Sequence, residues 1–153
     1  MALEFEFIGP DDRPAIVAMD DTVRAETIRT TLADLGYKVH LVSEADAFAD
    51  RFAQLPYQIV VLGETFACAS LETNITLQNL QRLPMSRRRH AVVILIGDSF
   101  QSLNPMQAFQ HSVHAVVHPR ELPAFGQITL KVVADTNLFL HPFRETQQRL
   151  AQG

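Results

Sequence analysis

The chain has 153 residues, the size of one domain, and its 47% hydrophobic and 20% charged residues fit a packed core. A net charge of −4 argues against a surface devoted to nucleic acid, which is therefore not an expected partner. The single cysteine, Cys68, excludes intrachain disulfides and cysteine zinc clusters, and favours a reducing, cytoplasmic compartment. The longest apolar run, residues 91–97, is too short to span a bilayer, so no membrane partner is expected.

The first residues of the chain alternate between apolar side chains and the acidic Glu4 and Glu6. This period of two predicts a short strand or an arm that lies on a partner, and the absence of a basic segment argues against a signal peptide. A turn or linker is predicted at residues 9–14. Residues 1–13 are therefore expected to form an arm that precedes the main domain.

Apolar runs and amphipathic helical segments alternate along the rest of the chain. Among the helix residues expected to face the core are Val23, Leu71 and Ile75. Strand–helix alternation of this kind predicts a parallel sheet with right-handed crossovers. In chain order the predicted elements are strand 15–19, helix 23–35 ended by Gly36, strand 39–42, helix 44–55 ended by Pro56, strand 59–62, helix 71–83, strand 91–96, helix 105–110, strand 113–117 and an interrupted helix over 122–150.

The C-terminal segment, residues 125–153, carries more apolar residues than one docked helix needs. One stripe has helical spacing and consists of Phe125, Ile128, Val132, Phe139 and Phe143. A second group lies off that stripe and consists of Leu130, Val133, Leu138 and Leu140. This second group indicates either a homodimer interface or a second face buried in the same protomer. Pro142 is expected to kink or break the helix.

Three segments share the layout of one known family. Residues 16–39 (IVAMDDTVRAETIRTTLADLGYKV) combine a strand, an acid pair, an amphipathic helix, a Leu-Gly-Tyr turn and a second strand. EADAFADRF then precedes YQIVVL, and HPREL begins at His118. Residues 14–124 thereby resemble the receiver domain of bacterial response regulators. The resemblance implies a flavodoxin-like three-layer α/β sandwich with a five-stranded parallel sheet of order 2-1-3-4-5, here followed by an extended C-terminal helix.

The resemblance also implies the place of a phosphorylation site. In the family an acid pair binds Mg²⁺, an aspartate on the third strand takes the phosphoryl group, a Thr or Ser ends the fourth strand and a Lys ends the fifth. The corresponding residues here, in that order, are Asp20 and Asp21, Gly63, Ile96 (or Gly97 if the register slips by one), and His118.

Three of these five positions lack the side chain that the family uses. Gly63 cannot act as a nucleophile, and Ile96 cannot donate a hydrogen bond to a phosphoryl oxygen. Histidine at position 118 carries less positive charge near neutral pH than lysine would. The sequence therefore predicts a pseudo-receiver that is not an enzyme. It would be a phosphorylation-independent signalling or adaptor module that acts through an unknown protein partner, with self-association. The alternative is a small-ligand or nucleotide sensor that uses the degenerate crevice.

The acid pair is the strongest candidate for a bound ion. Asp20 and Asp21 could hold Mg²⁺ with waters in the remaining positions, or they could be a helix cap and a solvated acid. Apart from this Mg²⁺, no cofactor is expected. Glu64 lies beside Gly63 and could restore a third acid or mimic a phosphate. Because a strand alternates faces, however, the residue after Gly63 is expected to point away.

Two further clusters, one of arginines and one of histidines, each have a functional and a structural interpretation. Arg87, Arg88 and Arg89 could contact an anion or a partner, or form a solvated loop, at the sheet end opposite the acid pair. His111, His114 and His118 have a spacing that suggests zinc. They are predicted to lie at the end of a helix, at a strand and after that strand, so their convergence on one ion is not expected.

Overall fold

The computed structural model describes residues 11–84 and 91–152, and within residues 139–152 it describes the backbone and the side chain of Leu150 alone. Most of the predicted N-terminal arm therefore lies outside the described residues. The strands are β1 (Arg13–Ala18), β2 (Tyr37–Val42), β3 (Ile59–Gly63), β4 (Val92–Ile96) and β5 (Ala115–Val117). The α-helices are α1 (Thr22–Asp34), α2 (Ala45–Gln54), α3 (Ile75–Gln81), α4 (Pro105–Gln110) and α5 (Phe125–Gln152). Turns of 3₁₀ helix at Leu71–Thr73 and Pro119–Ala124 precede α3 and α5.

The strands form one parallel sheet in the order β2-β1-β3-β4-β5, which confirms the predicted flavodoxin-like α/β fold. The central strands β1, β3 and β4 are buried on both faces, apart from the exposed Arg13 at the start of β1. This double burial explains why their sequences are continuous apolar runs and do not alternate.

Helices cover both faces of the sheet and complete three layers. On one face α1 and α5 pack on the sheet, and on the other face α2, α3 and α4 do so. The buried helix residues of the first face include Ala25, Ile28, Leu32, Phe125 and Val132. Those of the second face include Phe48, Leu77, Leu80 and Ala108. Within the described residues, no helix is long and apolar enough to cross a membrane.

The connection from α1 to β2 ends the helix where the sequence predicted it. Gly36 has a φ of +97°, a conformation that favours glycine at a helix end. Arg13 reinforces this turn, because its Nη2 donates to the Leu35 carbonyl at 2.6 Å and its guanidinium lies 4.4 Å from the centre of the Tyr37 ring. Arg13 therefore belongs to β1, and its assignment to the preceding arm or linker was wrong.

Two residues that were expected to face the core, Ile75 and Val23, lie in the first turns of helices and are exposed. The predicted helix over residues 71–83 is a 3₁₀ turn followed by α3, because Asn74 caps a new helix by accepting from Leu77 N at 3.0 Å. Ile75 consequently lies in the first turn and is 47% exposed, where a core contact was expected. Val23, also in a first turn, is 75% exposed, because α1 buries Ala25 and the residues three and seven places further on.

Helix α5 confirms the predicted C-terminal extension, but its course differs from the prediction. It has 28 residues, about 42 Å at the rise of an α-helix, and it remains helical through Pro142. The predicted break at this proline was therefore wrong, since proline removes a single backbone donor and a long helix keeps its bonds on either side. Phe125, Ile128 and Val132 of the first stripe are buried on the sheet, whereas the side chains of Phe139 and Phe143 lie outside the described residues.

Two polar side chains, those of His40 and Tyr57, form a buried pair inside the protein. His40 Nδ1 and the Tyr57 hydroxyl are 2.6 Å apart, and the two side chains are 3% and 1% exposed. Burial raises the pKa of Tyr57 to about 12, and the positive charge of Arg51 opposes this rise.

Candidate functional site

The parallel register brings the predicted site positions to one edge of the sheet. Gly63 ends β3 and pairs with Ile96, which ends β4, and Ile96 pairs with Val117 at the end of β5. His118 follows Val117 directly, and Asp20 lies two residues beyond the end of β1. The carboxyl ends of the strands thus collect Asp20, Gly63, Ile96 and His118 at the edge where doubly wound sheets bind ligands.

Both carboxylates of the acid pair bind backbone donors of the chain itself. Asp21 caps α1, because its Oδ1 accepts from Val23 N at 3.0 Å and from Arg24 N at 3.1 Å. Asp20 accepts from Ala67 N at 3.1 and 3.2 Å through its two oxygens. Ala67 has a φ of +55°, so Asp20 stabilises a strained turn in the loop after β3. Both acids are exposed, and both accept hydrogen bonds from backbone N–H groups of the chain.

Gly63 is buried and leaves room for a small side chain. A Cβ added there would lie 3.5 Å from Met19 Cγ and 3.6 Å from the Ala18 carbonyl oxygen, which are ordinary contact distances. Ile96, at the hydroxyl position, is 2% exposed and belongs to the core that packs under α1 and α5. The end of β3 therefore carries no side chain at Gly63 and has room for a Cβ there.

The side chain of Glu64 lies across the start of the loop that follows β4. Its Oε1 accepts from Ser99 N at 3.3 Å, and its backbone N donates to the Ile96 carbonyl at 2.7 Å. Gly97 makes room for it, since a Cβ at Gly97 would come within 2.5 Å of the Cβ of Glu64. Strand alternation does not decide the direction of this side chain, because β3 ends one residue earlier. The carboxylate thus joins the end of β3 to the loop between β4 and α4.

Asn74 is a site residue that the sequence did not reveal. It is fully buried, and its Nδ2 donates to the carbonyls of Gly63 and Glu64, each at 3.1 Å. Its Oδ1 caps α3, so one amide ties the end of β3 to the start of the following helix. The signal that could have found it is an Asn immediately before an apolar helical segment, a frequent helix cap.

His118 is fixed by the loop after β4 and by the turn that follows β5. Its Nδ1 accepts from Arg120 N at 3.1 Å, so the neutral ring carries its proton on Nε2. Its backbone N donates to Ser102 Oγ at 2.8 Å. The loop between β4 and α4 is therefore attached to β3 through Glu64 and to β5 through Ser102.

The remaining candidates do not join this edge as a metal site. In the stretches 11–84 and 91–152, no three His, Cys, Asp or Glu side chains come together in a way that could hold a metal ion. His114 Nδ1 instead accepts from Val93 N at 3.0 Å. Arg87, Arg88 and Arg89 lie outside the described residues.

Solved structures with the same fold are receiver domains of bacterial signalling proteins. The receiver domain of a sensor histidine kinase from Pseudomonas aeruginosa, with magnesium coordinated in its active-site cleft, superimposes with a TM-score of 0.62 at 14% identity, covering 80% of this chain and 98% of that chain. An orphan response regulator of H. pylori gives 0.61 at 14% identity, covering 79% and 96%. A chemotaxis response regulator of Vibrio cholerae gives 0.58 at 11% identity, covering 80% and 98%. No family model and no curated protein matches the sequence.

The chain therefore has the receiver fold of response regulators, and the identities are low enough that the likeness concerns the fold alone. Its acid pair follows β1 and its site edge is formed by the carboxyl ends of β1, β3, β4 and β5.

Proposed function

We propose that this chain is a pseudo-receiver, a signalling or adaptor module that works through protein contacts and without phosphoryl transfer. The observation that carries the proposal is Gly63 at the end of β3, where the receiver resemblance places the phosphoryl-accepting aspartate. No side chain at this position can form the phosphoryl bond, and Ile96 offers no hydroxyl beside it. No enzymatic step is part of the proposal.

The contacts of the acid pair support the same proposal. A receiver-type Mg²⁺ site needs carboxylates that are available to the ion together with oxygens of the phosphoryl group. Here Asp21 caps α1 and Asp20 accepts from Ala67 N, so each carboxylate has a backbone donor with which an ion would compete. Helix capping and support of the loop after β3 give these two acids roles that do not involve a metal.

The loop between β4 and α4 supports independence from phosphorylation in a second way. In the described residues Ser99 N of this loop donates to Glu64, and its Ser102 accepts from the backbone N of His118. A carboxylate that belongs to the chain supplies the acceptor for Ser99 N. These contacts involve groups of the protein alone, which supports a module that does not depend on a phosphoryl group to order this loop.

An NMR titration tests the missing acceptor. Amide spectra of the wild-type chain are recorded with Mg²⁺ and then with Mg²⁺ plus beryllofluoride, which mimics a phosphorylated aspartate. We expect no beryllofluoride-dependent shifts around Asp20, Asp21 and His118. The matched variant Gly63→Asp restores the carboxylate at this position and should gain them, since a Cβ there meets its neighbours at ordinary contact distances. A beryllofluoride response in the wild type, lost in Glu64→Gln, would assign acceptor chemistry to Glu64 and overturn the proposal.

Self-association through α5 is the second part of the proposal. Leu130 and Leu138 lie about two turns apart on α5 and are 56% and 76% exposed, and a second copy that covered both would remove this apolar surface from water. Val133 packs partly on the core of its own protomer, and the side chain of Leu140 lies outside the described residues. Light scattering on a dilution series tests this part, and Leu138→Glu should shift the chain towards monomer.

The alternative function, a small-ligand sensor at the degenerate crevice, has less support. The space beside Gly63 is bordered by Met19 at ordinary contact distance, so the missing side chain does not leave a wide cavity there. Two of the cavities lie elsewhere, one on the surface of α1 and one lined by Leu77, Val93 and their neighbours. Thermal-shift measurements with nucleotides and metal ions test this alternative.

A further inference from the structure

Strand β2 forms one edge of the sheet, and no other strand of residues 11–84 and 91–152 pairs with its outer side. An edge strand presents a row of backbone N–H and C=O groups that proteins usually cover or protect. At the opposite edge, the three residues of β5 are joined to the loop before α4, since Leu103 N donates to the Val116 carbonyl at 2.9 Å. The edge of β2 is six residues long and is therefore the better place for a further strand.

The two faces of β2 offer different surroundings to such a strand. Val39 and Leu41 lie on the face that packs with α1 and α5, and both are only partly buried. Lys38 lies on the opposite face, the one that contains the buried His40 and Val42, because side chains alternate along a strand. A neighbouring strand is favoured if it places apolar side chains beside Val39 and Leu41 and acidic ones beside Lys38.

The segment of the chain that precedes β1 has this pattern. Leu3, Phe5 and Phe7 alternate with Glu4 and Glu6. A period of two gives a strand one apolar side and one acidic side. The apolar side matches the partly buried side chains of β2, and the acidic side matches the ammonium group of Lys38 on the other face.

We propose that residues 3–7, which lie outside the described residues, pair with the outer edge of β2 as a sixth strand that runs antiparallel to it. The three apolar side chains cover Val39 and Leu41, and the two carboxylates lie on the face of Lys38. A sheet edge closed in this way cannot accept an extended peptide from another protein, so partners must use other surfaces of the module. The inference goes beyond the proposed function and does not rest on it.

The length of the connection to β1 selects the direction and the edge. Five residues, 8–12, join the segment to β1, whereas parallel strands need a crossover of about a dozen or more. An antiparallel segment ends level with the start of β1, and the outer side of β2 is then two strand spacings, about 10 Å, away. The outer side of β5 is four spacings, about 19 Å, away. Reaching it would leave no slack for the turn that Gly9 and Pro10 predict.

The same connection sets the register. Arg13 pairs with Tyr37 across the inner edge of β2, so a segment that ends with Phe7 opposite Tyr37 leaves residues 8–12 to pass beneath β2. Opposite residues then share a face of the sheet, and the pairs are Phe7–Tyr37, Glu6–Lys38, Phe5–Val39, Glu4–His40 and Leu3–Leu41. A slip by one residue would bring the carboxylates to the apolar face, which the pattern disfavours.

Hydrogen exchange followed by NMR on the full chain tests the pairing. Alternate residues of β2 turn their N–H groups away from β1, and these amides exchange fast at an open edge but slowly beside a sixth strand. We expect Phe5→Asp, which places a charge beside Val39 and Leu41, to speed their exchange at least about ten-fold. The matched control is Glu4→Thr, which changes the other side of the segment to a residue that favours strands, and its effect should stay below about two-fold. The amides of β3 and β4 should not change in either variant, and they show whether a variant has lost stability as a whole.

Contacts between α-protons test the direction, because opposite α-protons come close in antiparallel pairs and not in parallel ones. We expect nuclear Overhauser effects between the segment and β2 within one chain. If a mixture of labelled and unlabelled chains shows these contacts only between copies, the segment lies on a partner and the inference is overturned. Fast exchange of all outward β2 amides in the wild type also overturns it, as does equal behaviour of Phe5→Asp and Glu4→Thr. None of these results depends on beryllofluoride or on the mass of an assembly, so the proposed function stands or fails separately.

Discussion

The contact between Glu64 and Gly97 makes a sharp prediction about Gly97→Ala. The new Cβ would lie 2.5 Å from Glu64 Cβ and 2.8 Å from its Cδ, whereas non-bonded carbons are normally about 3.5–4.0 Å apart. Rotation of the Glu64 side chain can move its Cδ away but not its Cβ, which the backbone fixes. The substitution must therefore shift the ends of β3 and β4, and we expect it to lower the free energy of unfolding by about 1–3 kcal/mol.

Urea denaturation of four chains measures this effect as a double-mutant cycle. The chains are the wild type, Gly97→Ala, Glu64→Gly and the double variant. Glu64→Gly removes the Cβ that the alanine would meet, so in that background Gly97→Ala should cost less than about 0.5 kcal/mol. Gly63→Ala is the matched control, because its Cβ would meet its neighbours at 3.5 Å or more. It should be close to neutral or slightly stabilising.

The pattern of the cycle decides whether the geometry at this edge is correct. Glu64→Ala keeps the Cβ and should leave most of the cost of Gly97→Ala in place, although the carboxylate is gone. If Gly97→Ala costs the same in the wild-type and Glu64→Gly backgrounds, Glu64 does not lie over Gly97, and the bond from its carboxylate to the β4–α4 loop must be abandoned with it.

Three further predictions concern residues that hold this architecture. Asn74→Ala should cost about 2–3 kcal/mol in urea denaturation, because it removes a helix cap and two donors to buried carbonyls; a cost below about 1 kcal/mol would contradict this role. Asp21→Ala should cost about 1 kcal/mol and Asp21→Asn much less, because asparagine also caps helices; the ion pair with Arg24 adds little, since both side chains are over 40% exposed. Burial raises the pKa of Tyr57 from 10.0 to about 12, so the folded state holds this proton more tightly than the unfolded chain. The contribution of this proton to the free energy of unfolding is complete below pH 10 and is lost as the pH rises towards 12, by up to about 2–3 kcal/mol. The free energy of unfolding of the wild type, measured against pH, should show this loss, and that of Tyr57→Phe should not. Parallel curves for the two chains would refute the prediction.

The sheet could be predicted from the sequence because strand burial has a direct sequence signal. The runs in β1, β3 and β4 are apolar on both faces, and helices of amphipathic pattern separate them. The strand order that the receiver resemblance implies then fixes which residues share the carboxyl edge. For this reason Asp20, Gly63, Ile96 and His118 could be assigned to one edge without coordinates, whereas Val23 and Ile75 could not be assigned a face, since each begins a helix.

The contacts around Glu64 could not be predicted in the same way. Alternation along a strand determines direction only inside the strand, and Glu64 lies one residue beyond the end of β3. Its position depends on the absence of a side chain at Gly97, more than thirty residues away, and on a donor at Ser99 N. Asn74 was hidden for a related reason, because Leu71, Ile75 and Leu80 have helical spacing across the residue that in fact starts a new helix.

The contact between Glu64 and the loop after β4 bears on how the proposed module would work. The Glu64 carboxylate accepts from Ser99 N at 3.3 Å, so a side chain of the protein itself connects the end of β3 to the loop after β4. The loop bonded to it continues into the turn at Leu103 and the cap of α4. Under the proposed function, this chain of contacts positions α4 with groups of the protein alone, and no phosphoryl donor is needed to form it.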